Sequence, residues 1–569
     1  SQQPPGTGRQ QPFGQSQSAP AGPPPQRDYS RAFAAPTAER DHPYPELSDP
    51  LGEAFRKGLG FALLAVPVVA AVLAYLLPTI RTIQISRTED LGYFQAGDFG
   101  PGESFGPANY EDVFASGRFA DGLAHLVGPT AVMVLIGAVV APLAAWLLHC
   151  AGTKTAVAAR VVGSLAAISF VPAALTVAWL INRVVTESNR QASLYDWPGL
   201  VSGVVLGLGV LAGLAAMRGG DETGRKAAAV LVTAGLASFA LIAAGLQTFA
   251  YSTVSGLPVD VGTPLVQIMQ GLNGGSAPGV AAAESVLLLA VLAVLGIGAA
   301  VLFLVSRIRI DVAPSTADPT DPPRPAAVAA GIAALVLLLA AVGFFLLPWI
   351  TRLGDGSYEG GDLWFLIRRT WGPPLITTAV ALPAAAVGGY AIGVLRPLGD
   401  ASRWLLLLFA PWLFTGSGPL GAANLEAVAG EYEYMAIGSF PARAWIAVPL
   451  LFVFTALFWG LEDRRRAARA QGTPPGAARR AFLNAAWPMV ALMALALLLV
   501  NAQDLIWQQL TSQDMLTSGP MSWALENLEF EESGVGLGFP LPILALYAVA
   551  AVAAAIWYLP RLMIKVGRD

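Results

Sequence analysis

Six polar side chains lie within or beside long apolar stretches of this chain: Asn182, Gln247, Glu284, Asn501, Gln503 and Asp504. A polar group at membrane depth is costly and commonly marks the path of a solute or ion. All six sit near the ends of their stretches, where water reaches them, so a structural role competes with that reading. No catalytic constellation accompanies them. A G-x-x-x-x-G-K-[ST] phosphate loop is absent, so the chain cannot hydrolyse ATP through that machinery. Paired carboxylates of the kind lipid-linked glycosyl transfer needs are not evident. His42, His125 and His149 are far apart and show no ligand spacing. A single cysteine, Cys150, excludes an intramolecular disulfide and a cysteine-based metal cluster. The expectation is a protein that is not an enzyme and holds no metal or redox cofactor of its own.

The elements that must carry these groups are apolar and long. Hydrophobic residues make up 55% of the 569 positions and charged residues 13%, with a mean hydropathy of +0.57. A membrane span needs about 20 apolar residues. Twelve stretches qualify, near 58–80, 124–148, 157–182, 199–217, 227–249, 280–304, 326–350, 373–395, 403–422, 443–461, 484–503 and 537–559. Cytoplasmic loops are enriched in Lys and Arg. With the N-terminus inside and the spans alternating, the inside segments hold 25 of the 34 Lys and Arg residues and the outside segments hold 9. That split predicts a multi-pass protein of the plasma membrane with both termini cytoplasmic. Trp179, Trp349, Trp507 and Trp557 at span ends read as an interfacial aromatic belt.

Residues 1–50 are rich in Gln, Pro, Gly and Ser and read as a disordered cytoplasmic tail. Residues 307–325 carry the Pro- and Asp-rich run ADPTDPPRP and read as a cytoplasmic linker. The linker separates 51–306 from 326–569, each with six spans. An even number of spans leaves both halves in the same orientation, as parallel repeats about an axis along the membrane normal. The fold class expected is thus all-α, a polytopic membrane protein of about twelve transmembrane helices in two parallel six-helix repeats. The pattern x-A-A-x-x-x-G recurs after the fourth span of each half. The first copy is Leu214-Ala215-Ala216-Met217-Arg218-Gly219-Gly220 and the second Arg466-Ala467-Ala468-Arg469-Ala470-Gln471-Gly472. In an alanine-rich chain the repeated position is what gives the pattern weight.

Several short stretches, in the right order in both halves, resemble the permease subunits of binding-protein-dependent ABC importers, in the carbohydrate branch of the maltose type. Phe105-Gly106-Pro107-Ala108-Asn109-Tyr110 is similar to that family's F-x-G-x-x-N-Y stretch. Phe170-Val171-Pro172 through Trp179 is similar to its third span. Gln247, Phe249, Thr253, Gly256 and Thr263 follow its outer loop, without the usual paired glycines. Gly389-Tyr390-Ala391 through Arg396 is similar to A-Y-A-L-A-R. Asp504-Leu505-Ile506-Trp507-Gln508 resembles W-N-D-F-L-W-P, with Gln508 where the family has Pro. The resemblance covers roughly 50–305 and 326–569, with two subunits fused into one chain.

The resemblance implies a type I importer permease for a sugar or oligosaccharide. Its partners would be a cytoplasmic ABC ATPase dimer holding the ATP, an extracellular solute-binding protein and the lipid bilayer, and no nucleic acid. It makes Ala215, Ala216, Gly220, Arg466, Ala467, Ala468 and Gly472 the ATPase-coupling residues, because the family's E-A-A-x-x-x-G loop forms a short docking helix. Asn182, Gln247, Asp504, Trp507 and Gln508 become the candidate substrate path. This chain departs from the family loop: the Glu is Leu214 and Arg466, and the Asp before Gly is Gly219 and Gln471. The second loop is longer and carries six basic residues between 462 and 482, so it is expected to make the larger ATPase contact. The run Arg464-Arg465-Arg466 also fits simple positive-inside anchoring, and Glu426, Glu431 and Glu433 read as a solvated outer loop face. The alternative is a secondary transporter of major-facilitator type, which also has six plus six parallel spans. Gly219 to Lys226 resembles that family's basic loop but follows the fourth span rather than the second. A membrane scaffold that transports nothing is a third class.

Overall fold

The computed structural model describes residues 50–88, 106–170, 173, 180, 196–219, 223–249, 262–273, 277–313, 324–351, 363–429, 445–504, 506–507 and 541–567. Eight helices among the described residues are long and apolar enough to cross a membrane, as a polytopic helical membrane protein requires. The tail 1–49, most of the linker, and the candidate residues Asn182, Gly220 and Gln508 lie outside the described residues.

In chain order the helices of the first half are α1 (Pro50–Ala71), α2 (Leu77–Ile85), α3 (Ala108–Ser116), α4 (Arg118–Leu135), α5 (Ala141–Cys150), α6 (Thr153–Ile168), α7 (Asp196–Met217), α8 (Thr223–Leu246), α9 (Pro264–Asn273) and α10 (Pro278–Val305). Strand β1 (Arg309–Val312) follows. The second half has α11 (Pro325–Ile350), α12 (Leu363–Tyr390), α13 (Gly421–Ala429), α14 (Val448–Ala470), α15 (Pro475–Ala502) and α16 (Leu541–Ala553), then strand β2 (Leu562–Lys565). Proline stands in the first two positions of α10, α11, α14 and α15. There its missing N–H costs nothing and its φ suits the helix. With 28 residues, α10 is about 42 Å long at 1.5 Å per residue, more than the hydrocarbon thickness.

Four π-turns interrupt the helices, at Val72–Leu76, Ile136–Val140, Ala391–Leu395 and Ala554–Tyr558. In each case a proline lies two residues beyond the turn: Pro78, Pro142, Pro397 and Pro560. A proline ring clashes with the carbonyl four residues back and offers it no donor. The turn before it widens, and the N–H just ahead of the proline reaches five residues back: Leu77 to Val72, Ala141 to Ile136, Arg396 to Ala391, Leu559 to Ala554. α1 and α2 are in this way one bent rod, as are α4 and α5.

The halves are interlocked. α1 packs on α12 and its π-turn in the other half, and α11 packs on α5, α6 and α7. Glycines make these approaches close. A Cβ on Gly388 would lie 2.7 Å from Pro67 of α1, and one on Gly203 would lie 2.6 Å from the Ala341 carbonyl of α11. α16 packs on α6, and α10 packs on residues 410–412. One buried cluster joins α4–α10 with Ala334, Leu338, Val342 and Phe345 of α11. The other joins Leu64, Ala70, Ala74 and Tyr75 with α12 and α14. Neither half completes its core alone.

One expected span departs from the reading, and a short strand pair is added to the helices. Apart from Gly421 and Ala422 at the start of α13, residues 403–422 form no α-helix. They run as 3-10 turns over Gly399–Leu408, Ala410–Trp412 and Gly418–Leu420 before α13 begins. Pro411 and Pro419 supply no N–H, and Gly416, Gly418 and Gly421 favour coil over helix. The 3-10 rise of about 2 Å per residue still takes ten residues some 20 Å. The all-α description has an exception, because β1 and β2 pair antiparallel, with Arg309 opposite Lys565 and Ile310 opposite Ile564. Residues 309–312, near the start of the linker, are strand.

Candidate functional site

Between α12 and α13 the apolar stretch expected to be the ninth span runs as 3-10 turns, referred to below as the irregular crossing. Non-helical backbone at membrane depth persists only where protein or water satisfies its polar groups. Here side chains from other elements do so. Gln247, just past the end of α8, accepts from the Gly416 N–H (2.7 Å) through Oε1 and donates through Nε2 to the Phe414 carbonyl (2.8 Å). Its Nε2 also donates to the Ala243 carbonyl in its own helix (3.0 Å), which aims the amide at the break. The Ser417 hydroxyl faces both carboxylate oxygens of Asp504, at 3.1 and 3.0 Å, and the Trp507 N–H donates to Asp504 Oδ1 at 3.3 Å. Trp412 Nε1 donates to Thr79 Oγ1 (3.2 Å). Arg81 pairs with Glu426, its Nε at 2.6 Å from Oε2. Glu426 is therefore bound across the halves and is not part of a solvated face.

Among the described residues, several polar atoms near this crossing are buried with no hydrogen-bond partner: Thr415 Oγ1, Asn424 Nδ2, Gln503 Nε2, Gln267 Oε1 and Glu284 Oε1. Asn424, Gln267 and Glu284 belong to α13, α9 and α10, which pack on one another. A buried polar atom without a partner costs about 1–3 kcal/mol. A donor and acceptors held apart from the protein's own partners can take hydrogen bonds from a polar solute. Of the sequence candidates, Gln247, Asp504 and Trp507 converge on the crossing. The motif residues Asn109 and Tyr110 do something else. Asn109 donates to the Ser86 and Thr88 carbonyls (3.0 and 2.9 Å), and the Tyr110 hydroxyl lies 2.7 Å from Ser86 Oγ, so they pin α3 to the end of α2.

Ser417, Thr415 and Asn424 are missing from the sequence candidates. A signal for Thr415 was present. Phe170, Pro172 and Thr176 in the third span and Phe409, Pro411 and Thr415 in the ninth share the spacing F-x-P-x-x-x-T. α6 itself ends at Ile168, just ahead of the first copy.

The other end of the bundle gathers Arg218, Arg309, Arg396 and Arg464 to Arg466 and is called the basic end here. β1 packs on α14 and β2 on α7, so the strand that follows α10 lies on a helix of the second half and the strand that follows α16 on a helix of the first. Gly460 lies directly against the Ile310 carbonyl and Gly219 against that of Ile564, the two residues that pair in the ladder. Arg464 bonds the Val312 carbonyl and pairs with Asp311 at 2.6 Å. Arg218 reciprocates by bonding the Pro560 carbonyl. Glu462, 2% exposed, accepts from Arg465 and Arg466 at 2.7 and 2.9 Å. The hydrogen bond to Glu462 raises the Arg465 pKa above its ordinary value. This arginine run is thus bound within the chain.

The repeated segments meet this strap. Arg466 to Ala470 form the last turns of α14 rather than a loop, and Gly472 closes the helix at φ +89°, the left-handed region glycine tolerates. Ala468 is 2% exposed and Ala216 is fully buried, while Arg469 to Gly472 are exposed. Leu214 to Met217 are helical, with Ala215 half-buried. In the second segment the exposed surface is therefore its end, Arg469 to Gly472, while Ala216 and Ala468 are buried within the chain. In comparisons with known proteins, no family model, no curated protein and no solved structure matches the chain.

Proposed function

We propose that the chain is the transmembrane permease of an ABC importer, carrying a sugar or oligosaccharide and driven by a separate ATPase dimer. The observation that carries the transport reading is the irregular crossing clasped by Gln247 and Asp504. Broken helices with solute groups at their breaks are a recurring transporter device. The reciprocal packing of α1 and α11, and of β1 and β2, supports two parallel repeats with both termini and the linker on the basic, cytoplasmic side. The exposed end Arg469 to Gly472 is the surface an ATPase would reach. An extracellular binding protein would deliver solute at the opposite end.

The experiment is purification of the full chain from native membranes in mild detergent, followed by reconstitution. Co-purification of an ATPase and ATP-driven sugar uptake are expected. Uptake that needs no ATP and stops when an ionophore collapses the proton gradient would refute the importer. Glu284, a carboxylate only 2% exposed on α10 with an unpartnered oxygen, is the observation that favours that second reading, an ion-coupled transporter of major-facilitator type.

A further inference from the structure

Arg464, Arg465 and Arg466 of α14 are each bound to an acid within the chain, but the basic end has a second arginine pair, Arg479 and Arg480, near the start of α15. That helix begins just after the turn that closes α14, so it starts at the same end of the bundle. Both arginines are exposed. No Asp or Glu occurs in Pro475–Ala502, so neither has an acid three or four residues away on its own helix. Among the described residues neither makes an ion pair or a hydrogen bond.

The helix turns this pair toward lipid. At 3.6 residues per turn, Arg479, Arg480, Leu483, Asn484 and Trp487 fall within an arc of about 140°. All five are exposed, Leu483 by 50% and Trp487 by 57%. The other side carries Ala486 and Met489, which belong to the buried cluster with α12 and α14, and Phe482 and Ala485, which pack against it. A span needs about 20 residues, or about 30 Å of helix. Counted back from Ala502, where α15 ends, that length reaches Leu483. Arg479 and Arg480 then lie about one turn outside the hydrocarbon, at the depth of the lipid phosphates. Trp487 lies about one turn inside its boundary, in the interfacial zone that tryptophan favours. A soluble partner could meet the arginines but not the two apolar side chains beneath them. A phospholipid covers both at once.

We propose that this face of α15 binds an anionic phospholipid, with Arg479 and Arg480 on its phosphate and Leu483 and Trp487 against its acyl chains. Guanidinium forks match phosphate oxygens bidentately. A zwitterionic headgroup would bring its own cation toward the arginines, so the face prefers a lipid with net negative charge.

The test uses the delipidated full chain in detergent, with Cys150→Ser and Asn484→Cys, labelled at position 484 with a fluorophore. Phosphatidylglycerol and phosphatidylcholine, each brominated on its acyl chains, are titrated in turn, and quenching reports lipid at this face. Phosphatidylglycerol is expected to reach half-quenching at a lower mole fraction than phosphatidylcholine. Arg479→Gln and Arg480→Gln are each expected to narrow that preference by roughly fivefold, the value of one basic residue near a charged bilayer surface. Both side chains are exposed, so the substitutions should spare the fold, and Arg479→Lys, which keeps the charge, should keep the preference. Equal half-quenching by the two lipids, or a preference unchanged in both glutamine variants, would overturn the proposal. Displacement of phosphatidylglycerol by inorganic phosphate would overturn the phospholipid and leave a free-anion site. Glutamine variants that keep the lipid preference but lose a co-purifying ATPase would overturn it in favour of protein docking.

Discussion

Replacing Gln247 with Met keeps the length of the side chain and removes both of its hydrogen bonds to the irregular crossing. The Gly416 N–H and the Phe414 carbonyl, now bound at 2.7 and 2.8 Å, would face a thioether instead. Each orphaned group costs about 1–3 kcal/mol when fully buried. Gln247 is half-buried, so some water reaches the site and a total of about 2–3 kcal/mol is expected. If that energy is lost from local opening, amide exchange at Gly416 speeds up roughly 30- to 150-fold, since 1.4 kcal/mol is a factor of ten. Hydrogen–deuterium exchange read on a peptide spanning residues 409–424 measures this directly. Gln247→Glu should fall between, because it retains an acceptor for the Gly416 N–H and loses the donor to Phe414. Unchanged exchange in Gln247→Met would mean that the amide does not hold the crossing, and the argument for a clasped break would fail with it.

Other outcomes follow from the same contacts. Ser417→Ala should weaken the hold on Asp504 by about 1–2 kcal/mol, a hydrogen bond to a charged group being worth somewhat more than a neutral one; the thermal midpoint of Ser417→Ala with and without Asp504→Asn checks this, since the serine change should cost less once the charge is gone. Gly219→Ala and Gly460→Ala each push on one strand of the β1–β2 strap, so their destabilisations should be non-additive when combined; additive losses in urea-assisted unfolding would separate the two strands energetically. Ala468→Phe and Ala216→Phe should both destabilise the chain itself, by about 1–3 kcal/mol from overpacking, whereas Gln471→Ala should leave folding alone and reduce ATPase stimulation by any partner. A cysteine at Ser315 in a Cys150→Ser background should resist an impermeant thiol reagent added outside; external labelling would reverse the proposed orientation.

The apolar stretches were legible because they rest on local features, runs of Leu, Val and Ala, whereas helix ends such as those at Pro50 and Pro475 lie outside the apolar runs and were not marked by them. Gln247 and Asp504 stood out as polar residues beside apolar runs, and both end on the irregular crossing. The crossing itself was misread because Leu405 to Phe414 are as apolar as any span. Hydropathy does not register that Pro411, Gly416, Gly418 and Pro419 fall within nine residues, although such breakers mark irregular backbone. The strap escaped notice for a different reason. Arg-Ile-Asp-Val and Leu-Met-Ile-Lys are four-residue strands, too short for alternation to speak, and their pairing spans more than 250 positions. The paired alanines illustrate a third limit. Small residues suit docking to another protein and close packing within one chain equally well, and only burial shows that Ala216 and Ala468 are spent on the latter.

The two ends of the bundle are held by bonds of different kinds. At the basic end, the strap combines a four-residue ladder, the close seats of Gly219 and Gly460, and the ion pairs of Asp311 with Arg464 and Lys565. Breaking it would expose several partly buried charges together, and removing one partner of a buried pair costs more than its net worth. At the other end, the crossing is held by hydrogen bonds from Gln247, Ser417 and Trp412, with the Arg81–Glu426 pair on α13 beside it. Each of these hydrogen bonds is worth only about 0.5–1.5 kcal/mol net and can be exchanged for water or a solute hydroxyl. Local opening draws on the weakest cooperative unit. The clasp should therefore yield before the strap does, with α7 and α14 remaining tied while polar groups at the far end change partners. On the transport reading proposed above, such an arrangement would let a solute compete for the clasp without unfolding the bundle, and atoms such as Asn424 Nδ2 and Thr415 Oγ1, without partners among the described residues, would be where it binds.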